Sequence, residues 1–314
     1  MGLENQTLVT GFILLGFSDR SPQMQWFLFA ILLLFFILAV MGNLLIFIIL
    51  TVEPVLHTPM YFFLRNMSFI DLCLTMVTTP KTLVNFLAED RSISFLGCAS
   101  QMYFGFCLGN EEFVLLGIMA YDRYVAICNP LHYSTVMSNK RCVRMAVGSW
   151  IMCAVIQFGQ VIFIFSLPFC RSKVIHHFFC DVPAVLRLSC MDTYWNNIVQ
   201  LILSAIFLLL PFLVILSSYI YIIFTVLKMR SKDGRSKAFS TCSSHLSVVT
   251  LFYGTAMLLY LKPGKSTSDD RDYAIFNCFV CPVLNPLIYS LRSKEVKEAL
   301  GRRIWRKMMF PCRQ

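Results

Sequence analysis

Charge is what this chain has least of. Of its 314 residues only 14% are charged, whereas 57% are hydrophobic, and the mean hydropathy is +0.68. A soluble domain carries about 25% charged residues, so there is too little polar surface here for a dissolved globular protein. Internal repeats, low-complexity tracts and long polar linkers are also missing, and nothing divides the chain into separate domains. It has no phosphate-binding loop, no HExxH and no GxSxG, and its serines, histidines and acids lack the spacing of a triad; this speaks against an enzyme. No interrupted hydrophobic segment recurs in two similar halves, as a transporter would often show. The first 24 residues lack a basic stretch before a short apolar core, so the first long apolar run is expected to act as the targeting signal itself.

What the chain does have is apolar residues in blocks of bilayer length, about 20 residues at 1.5 Å rise each. Seven blocks are predicted, at 25–50, 59–87, 98–127, 145–167, 197–227, 239–261 and 273–291. They lack the in–out alternation over about 10 residues that a membrane β-barrel requires, so the spans are read as helices. The fold class predicted is an all-α seven-span bundle. An extracellular segment over 1–24 precedes the spans over 25–291, and a cytosolic tail follows over 292–314.

The basic residues set the orientation. Lys140, Arg141 and Arg144 follow the third block, Lys228 to Lys237 follow the fifth, and Arg292 to Arg313 follow the seventh. By the positive-inside rule these ends are cytosolic and the amino terminus is outside. The net charge of +10 is therefore mostly a topology signal and not a nucleic-acid footprint, since the bases flank spans and do not cover one soluble face. In the tail, Val296, Leu300 and Ile304 fall on one helical stripe, with Lys297 and Arg303 toward lipid headgroups, the pattern of an interfacial helix. Asn5-Gln6-Thr7 is a glycosylation sequon on the outer side.

Four of the 13 cysteines, Cys98, Cys170, Cys180 and Cys190, sit at or beyond the outer face. An even set in an oxidising compartment points to two disulfides with three pairings open. This reading uses all four thiols, whereas a metal site at His176, His177 and Cys180 would use one.

Ionisable groups inside spans are costly, about 2.5–3.5 kcal/mol at a helix centre on insertion scales, so each needs a reason. Asp71 lies in the second span, and Glu112 sits ten residues before Asp122, roughly 15 Å deeper along the same helix. Two such acids could share a cation, as in an oxygen-lined sodium site, or a proton. Asn43 and Asn285 add amides at depth, the latter within "PVLNPLIYSL", where Pro282 and Pro286 each remove a backbone donor. Asp122-Arg123-Tyr124 closes the third span at the cytosolic face, where Arg123 can pair with Asp122 in one state and turn to a partner in another.

Taken together, "GN" at 42–43, "LHTPMYFFLRNMSFIDLC" at 56–73, "MAYDRYVAIC" at 119–128, "SY" at 218–219, "KAFSTCSSHLSVVTLFYG" at 237–254 and "PVLNPLIYSLRSKEV" at 282–296 resemble the vertebrate odorant receptors. These belong to the rhodopsin-like G-protein-coupled receptors, and the likeness is to the tetrapod-type branch. The motifs run in order through nearly the whole chain. The resemblance implies a helical bundle in the plasma membrane of olfactory cilia, an odorant in its outer half, and coupling to a stimulatory olfactory-type G protein. It implies the disulfides Cys98–Cys180 and Cys170–Cys190. Asp71 and Glu112 match the family's internal cation position. Tyr219, His245, Tyr253 and Tyr289 match its switch positions, and Lys237, Ser240 and Asn285 belong to the coupling and switch set with Asp122, Arg123 and Tyr124. Glu111 departs from the pattern, which usually has an uncharged residue there. About 100° around the helix from Glu112, it is expected to face the fifth span or the pocket.

By the same similarity the pocket draws on Met102, Gly105, Phe106, Gly109 and Asn110 in the third span and on Ser204 and Phe207 in the fifth. Tyr253, Ala256, Met257 and Tyr260 come from the sixth, and Ile275 and Cys278 from the seventh. Gly105 stands where amine receptors carry an acid, and no base lies among these positions. The lining therefore suits a small neutral volatile held largely by apolar burial, about 25 cal/mol per Å². The reading from another class is a channel or transporter that uses Asp71 and Glu112 as an ion path.

Overall fold

The computed structural model describes residues 10–170, 172–229, 231–260, 271, 274–292 and 295–301. Among the described residues, seven helices of 12 to 35 residues organise it: α1 (Pro22–Val52), α2 (Pro59–Leu87), α3 (Phe95–Cys128), α4 (Asn139–Phe165), α5 (Tyr194–Lys228), α6 (Lys232–Tyr260) and α7 (Cys281–Arg292). A π-helical turn at Phe276–Val280 leads into α7. The helices α1 to α5 are long and apolar enough to cross a membrane, and the last two carry shorter apolar stretches, His245–Leu259 and Phe276–Ile288.

Local chemistry sets the helix ends. Pro22 and Pro59 occupy first-turn positions, where the missing N–H costs nothing. Ser21 and Ser94 cap α1 and α3 by accepting from the amides of Met24 and Gly97. The outward faces stay apolar. Leu34, Ile37 and Met41 of α1, Ile151, Val155 and Phe158 of α4, and Leu210, Leu213 and Phe224 of α5 are all exposed. In water such faces would be an aggregation hazard, and lipid is the solvent they fit.

Inside, the helices approach closely where glycine meets proline. A Cβ on Gly42 of α1 would stand 3.1 Å from the Pro286 ring of α7, and one on Gly117 of α3 would stand 3.1 Å from Cβ of Pro211 in α5. Small residues at such crossings let membrane helices pack backbone to backbone. The proline in α7 also leaves a carbonyl without a donor, that of Pro282 one turn earlier. Asn43 of α1 supplies the donor, its Nδ2 lying 2.8 Å from Pro282 O.

The all-α expectation omits a small sheet at one end of the bundle. Gly11–Leu14 (β1) pairs antiparallel with Ser92–Ser94 (β2) and parallel with Val174–Ile175 (β3), in the order β2-β1-β3. The alternation in "GFIL" buries Phe12 and Leu14, and Phe12 packs against the rings of Phe95, Phe165 and Phe169. Gly16 then turns the chain with φ at +55°, a conformation that suits glycine. Arg271 donates to Gly16 O and to both carboxylate oxygens of Asp19, at 2.7 and 3.2 Å for the latter pair. That guanidinium holds the Asp19 carboxyl below the usual carboxylate range.

The segment after β3 closes this end of the bundle. Cys180 is bonded to Cys98 at the start of α3, and Cys170 to Cys190, so the thiol of Cys180 is not open to a metal. Gln101 accepts from Cys180 N at 3.0 Å and donates to Val77 O, and Thr82 donates to Phe178 O. Phe178 is fully buried among Phe17, Phe279 and His177. At the far end the helical residues 295–301 lie against the bundle. Val296 and Ala299 are buried in the main core cluster and Leu300 packs on it, while Lys297 is exposed. Ile304 and Arg303 of the predicted stripe, and Asn5 of the sequon, lie outside the described residues.

His177 makes this lid sensitive to acid. Burial, with Arg271 nearby, drives its imidazole down from 6.5 to about 3. Between those values the unfolded chain binds a proton that the folded lid refuses. The stabilisation is therefore complete above 6.5 and is lost as the pH falls toward 3. At about pH 5 the loss should reach roughly 2 kcal/mol. Melting of the purified protein at about pH 7 and pH 5 should show a drop that His177→Gln removes; an equal drop in the variant would refute the assignment.

Candidate functional site

The interior of the bundle is polar along one stretch of α3, residues 110–117. Glu112 is 1% exposed and Asp71 of α2 is 0% exposed. The Nδ2 of Asn285 in α7 joins them, 3.1 and 3.2 Å from the two Asp71 oxygens and 3.1 Å from Glu112 Oε1. The other Glu112 oxygen and the hydroxyls of Thr75 and Thr79 are buried with no hydrogen-bond partner among the described residues. The acids and hydroxyls offer oxygen, which suits a hard ion better than a soft metal, while Asn285 turns its amide N–H toward the two carboxylates. No group of three or more His, Cys, Asp or Glu side chains among the described residues forms a metal cluster.

Glu111 faces neither the fifth span nor the pocket. Its Oε1 lies 2.6 Å from Ser149 Oγ of α4, with Cys153 also in hydrogen-bonding reach. The correction is physical: on this side α3 packs on α4, and Ser149 offers the donor that a buried carboxyl needs.

One turn further along, two carbonyls of α3 receive bonds from α6. Tyr253 donates to Phe113 O at 3.0 Å, and its ring packs on Phe113 and Phe212. His245 Nε2 lies 3.2 Å from Leu116 O, and its Nδ1 lies 2.9 Å from the Tyr219 hydroxyl of α5. A carbonyl only accepts, so Nε2 carries the proton, and in the neutral ring Nδ1 accepts from Tyr219. One imidazole thereby ties α3, α5 and α6 together. Arg123 is buried within electrostatic reach of Tyr219, Cys242 and His245. Its neighbour Asp122 accepts from the Tyr133 hydroxyl at 2.9 Å. Tyr124 lies against Tyr121 and Tyr221. The side chains of Lys237, Ser240, Tyr260 and Tyr289 are outside the described residues.

At the lidded end the predicted pocket residues separate. Phe106, Asn110 and Ser204 line one cavity of about 20 Å³, with Phe113, Gln157, Gln160, Gln200, Leu203 and Leu208. A Cβ on Gly105 or Gly109 would meet nothing within 4 Å. Met102 instead packs beneath the Cys98–Cys180 bridge, and Phe207 is buried with Cys107 and Cys153. Ala256 is buried in the main core with Met257 against it, and Ile275 and Cys278 pack with Phe178 and Phe179. Tyr253 packs on Phe113, which borders the cavity. Sequence reading missed the three glutamines. Their signal was present, since amides within the apolar runs "IQFGQVIF" and "IVQLIL" need partners as much as charges do. Ser204 Oγ takes its hydrogen bond from Gln200 at 3.0 Å.

Known proteins resemble this chain along its length. A family model described as olfactory receptor matches residues 32–307. Human olfactory receptor 13C9 is 48% identical over 308 residues, covering 96% of each chain, and human olfactory receptor 10A7 is 47% identical over 308 residues, covering 98% of this chain and 97% of its own. Rat olfactory receptor 1f45 is 45% identical over 316 residues, the full length of both. With the motifs in order and this likeness running end to end, the chain belongs to the olfactory receptor family, a family of multi-pass membrane receptors and not of enzymes.

Proposed function

We propose that the protein is an odorant receptor of the plasma membrane of olfactory cilia, with seven spans and an outer amino terminus. It binds a small neutral volatile in the outer half of the bundle and activates a stimulatory olfactory-type G protein, which raises cyclic AMP. The observation that carries this reading is the continuity of α3, which touches the cavity at Asn110 and the His245–Tyr219 pair at Leu116. A ligand that moves the first has a rigid path of about one and a half turns to the second. The bases beside the Asp122 end support a cytosolic placement of that end. Asn5, on the opposite side, is then a glycosylation site. An ion path through Asp71 and Glu112 is the weaker reading, because the Asn285 amide bridges the two acids.

Asn110 is the discriminating ligand contact. Asn110 borders the cavity, while Ser204, the partner it would otherwise hold, is bonded to Gln200. Asn110→Leu should weaken response to oxygenated agonists by about 1–2 kcal/mol, roughly 5- to 30-fold in potency, and spare hydrocarbon analogues. Cyclic AMP dose–response curves at matched surface level read this out. Equal losses for both classes would end the contact, and current without any cyclic AMP response would end the receptor reading.

Asp71 and Glu112 would hold an internal sodium ion with Asn285. Bound there, the ion supplies a positive charge that offsets two buried acids. Replacing external and internal sodium with N-methylglucamine should then change agonist potency in the wild type and leave Glu112→Gln unmoved. The same shift in both proteins would remove the ion from the account.

A further inference from the structure

The cavity beside Asn110 has a chemical polarity that its lining residues impose. Gln160 donates from Nε2 to Oε1 of Gln200, and Gln200 donates from Nε2 to Ser204 Oγ at 3.0 Å. This relay runs one way. Each amide uses a donor on the next group, and the serine oxygen at its end accepts, so the serine O–H is left to be donated. Gln157 of α4 lines the same cavity, is 1% exposed, and its Nε2 has no hydrogen-bond partner among the described residues. A buried donor left unmet is costly, and nothing apolar can satisfy it. The space, about 20 Å³, admits one water-sized group. It is therefore a seat for a ligand's polar atom and not for its carbon skeleton.

We propose that α4 is part of the odorant site, and that Gln157 Nε2–H and Ser204 O–H together hold the carbonyl oxygen of a neutral ketone, aldehyde or ester. The proposal deepens the odorant reading above and rests on it. A carbonyl oxygen carries two lone pairs and no proton, so it matches two donors. An alcohol accepts as well but brings a proton that needs a further acceptor, and an alkane satisfies neither donor. The apolar body of the ligand then lies outside this seat.

The test uses the full-length receptor in cells with a cyclic AMP reporter and surface labelling. The probes are straight-chain methyl ketones, the matching secondary alcohols and the matching alkanes. In the wild type the ketones should be the most potent class. Gln157→Met keeps the length of the side chain and removes its amide; it should cost about tenfold in ketone potency and leave the alkanes unchanged. Ser204→Ala should give a smaller loss confined to the oxygenated probes, and it carries the test if Gln157→Met fails to reach the surface. Ketone potency unchanged in Gln157→Met, equal losses for ketone and alkane, or a wild type silent to every ketone would each overturn the proposal. Responses to alcohols without a ketone preference would remove this inference and leave the odorant reading standing. Silence to all three classes at normal surface level would remove both.

Discussion

Eight residues of α3, Asn110 to Gly117, carry the polar connections that the rest of the bundle depends on. In a membrane interior every buried polar group must find its partner within the protein. Here those partners come from α4, α6 and α7, with α2 joined through Asn285. Glu111 reaches α4 through Ser149, and Glu112 reaches α2 and α7 through Asn285. The carbonyls of Phe113 and Leu116 receive bonds from α6, and Gly117 lets α5 come close at Pro211. Apolar packing alone distinguishes poorly between helix rotations in lipid, because lipid chains compete for the same contacts. A row of groups that each accept only one kind of partner fixes the rotation of α3 and with it the direction of every neighbour.

Two ends of the molecule hang on that row. Toward the lid, the Cys98–Cys180 bridge and Gln101 hold the segment around Phe178 over the bundle, and Thr82 adds a bond from α2. Toward the other end, the Tyr219–His245 pair sits beside Arg123. The cavity at Asn110 and that pair border the same turns of α3, whose carbonyls accept from α6. The proposed coupling would have a physical carrier there, two hydrogen bonds from α6 onto α3.

Much of this was legible in the sequence, and the reasons differ by feature. The positions of the first five long apolar helices were, because apolar block length is dictated by bilayer thickness; 59–87 coincides with α2, and 197–227 falls within Tyr194–Lys228. Asp71, Glu112 and Asn285 stood out because polar groups at depth are rare and need one another. The side on which Glu111 lies was not legible, since helical periodicity gives an angle but not which neighbour waits there. The strand β1 was too short to read, and its partners come from positions some 80 and 160 residues away, as β2 and β3 show. The glutamine relay escaped because each amide is unremarkable alone and only the packing of α4 on α5 brings Gln160 to Gln200. Pocket residues inferred from similarity divided for a related reason: position on a helix says which way a side chain leaves the backbone, not which cluster receives it.

The central claim is that Glu112 and Asn285 act as one unit within this polar row. A double-mutant cycle on the thermal stability of the purified receptor tests it most directly, with Glu112→Leu, Asn285→Leu and both together. The account predicts that each single change is costly, because it strands a buried partner, and that the double change costs less than the sum by about 1–3 kcal/mol. Costs that add to within about 0.3–0.5 kcal/mol would mean that the two side chains stabilise the bundle independently, and would contradict it.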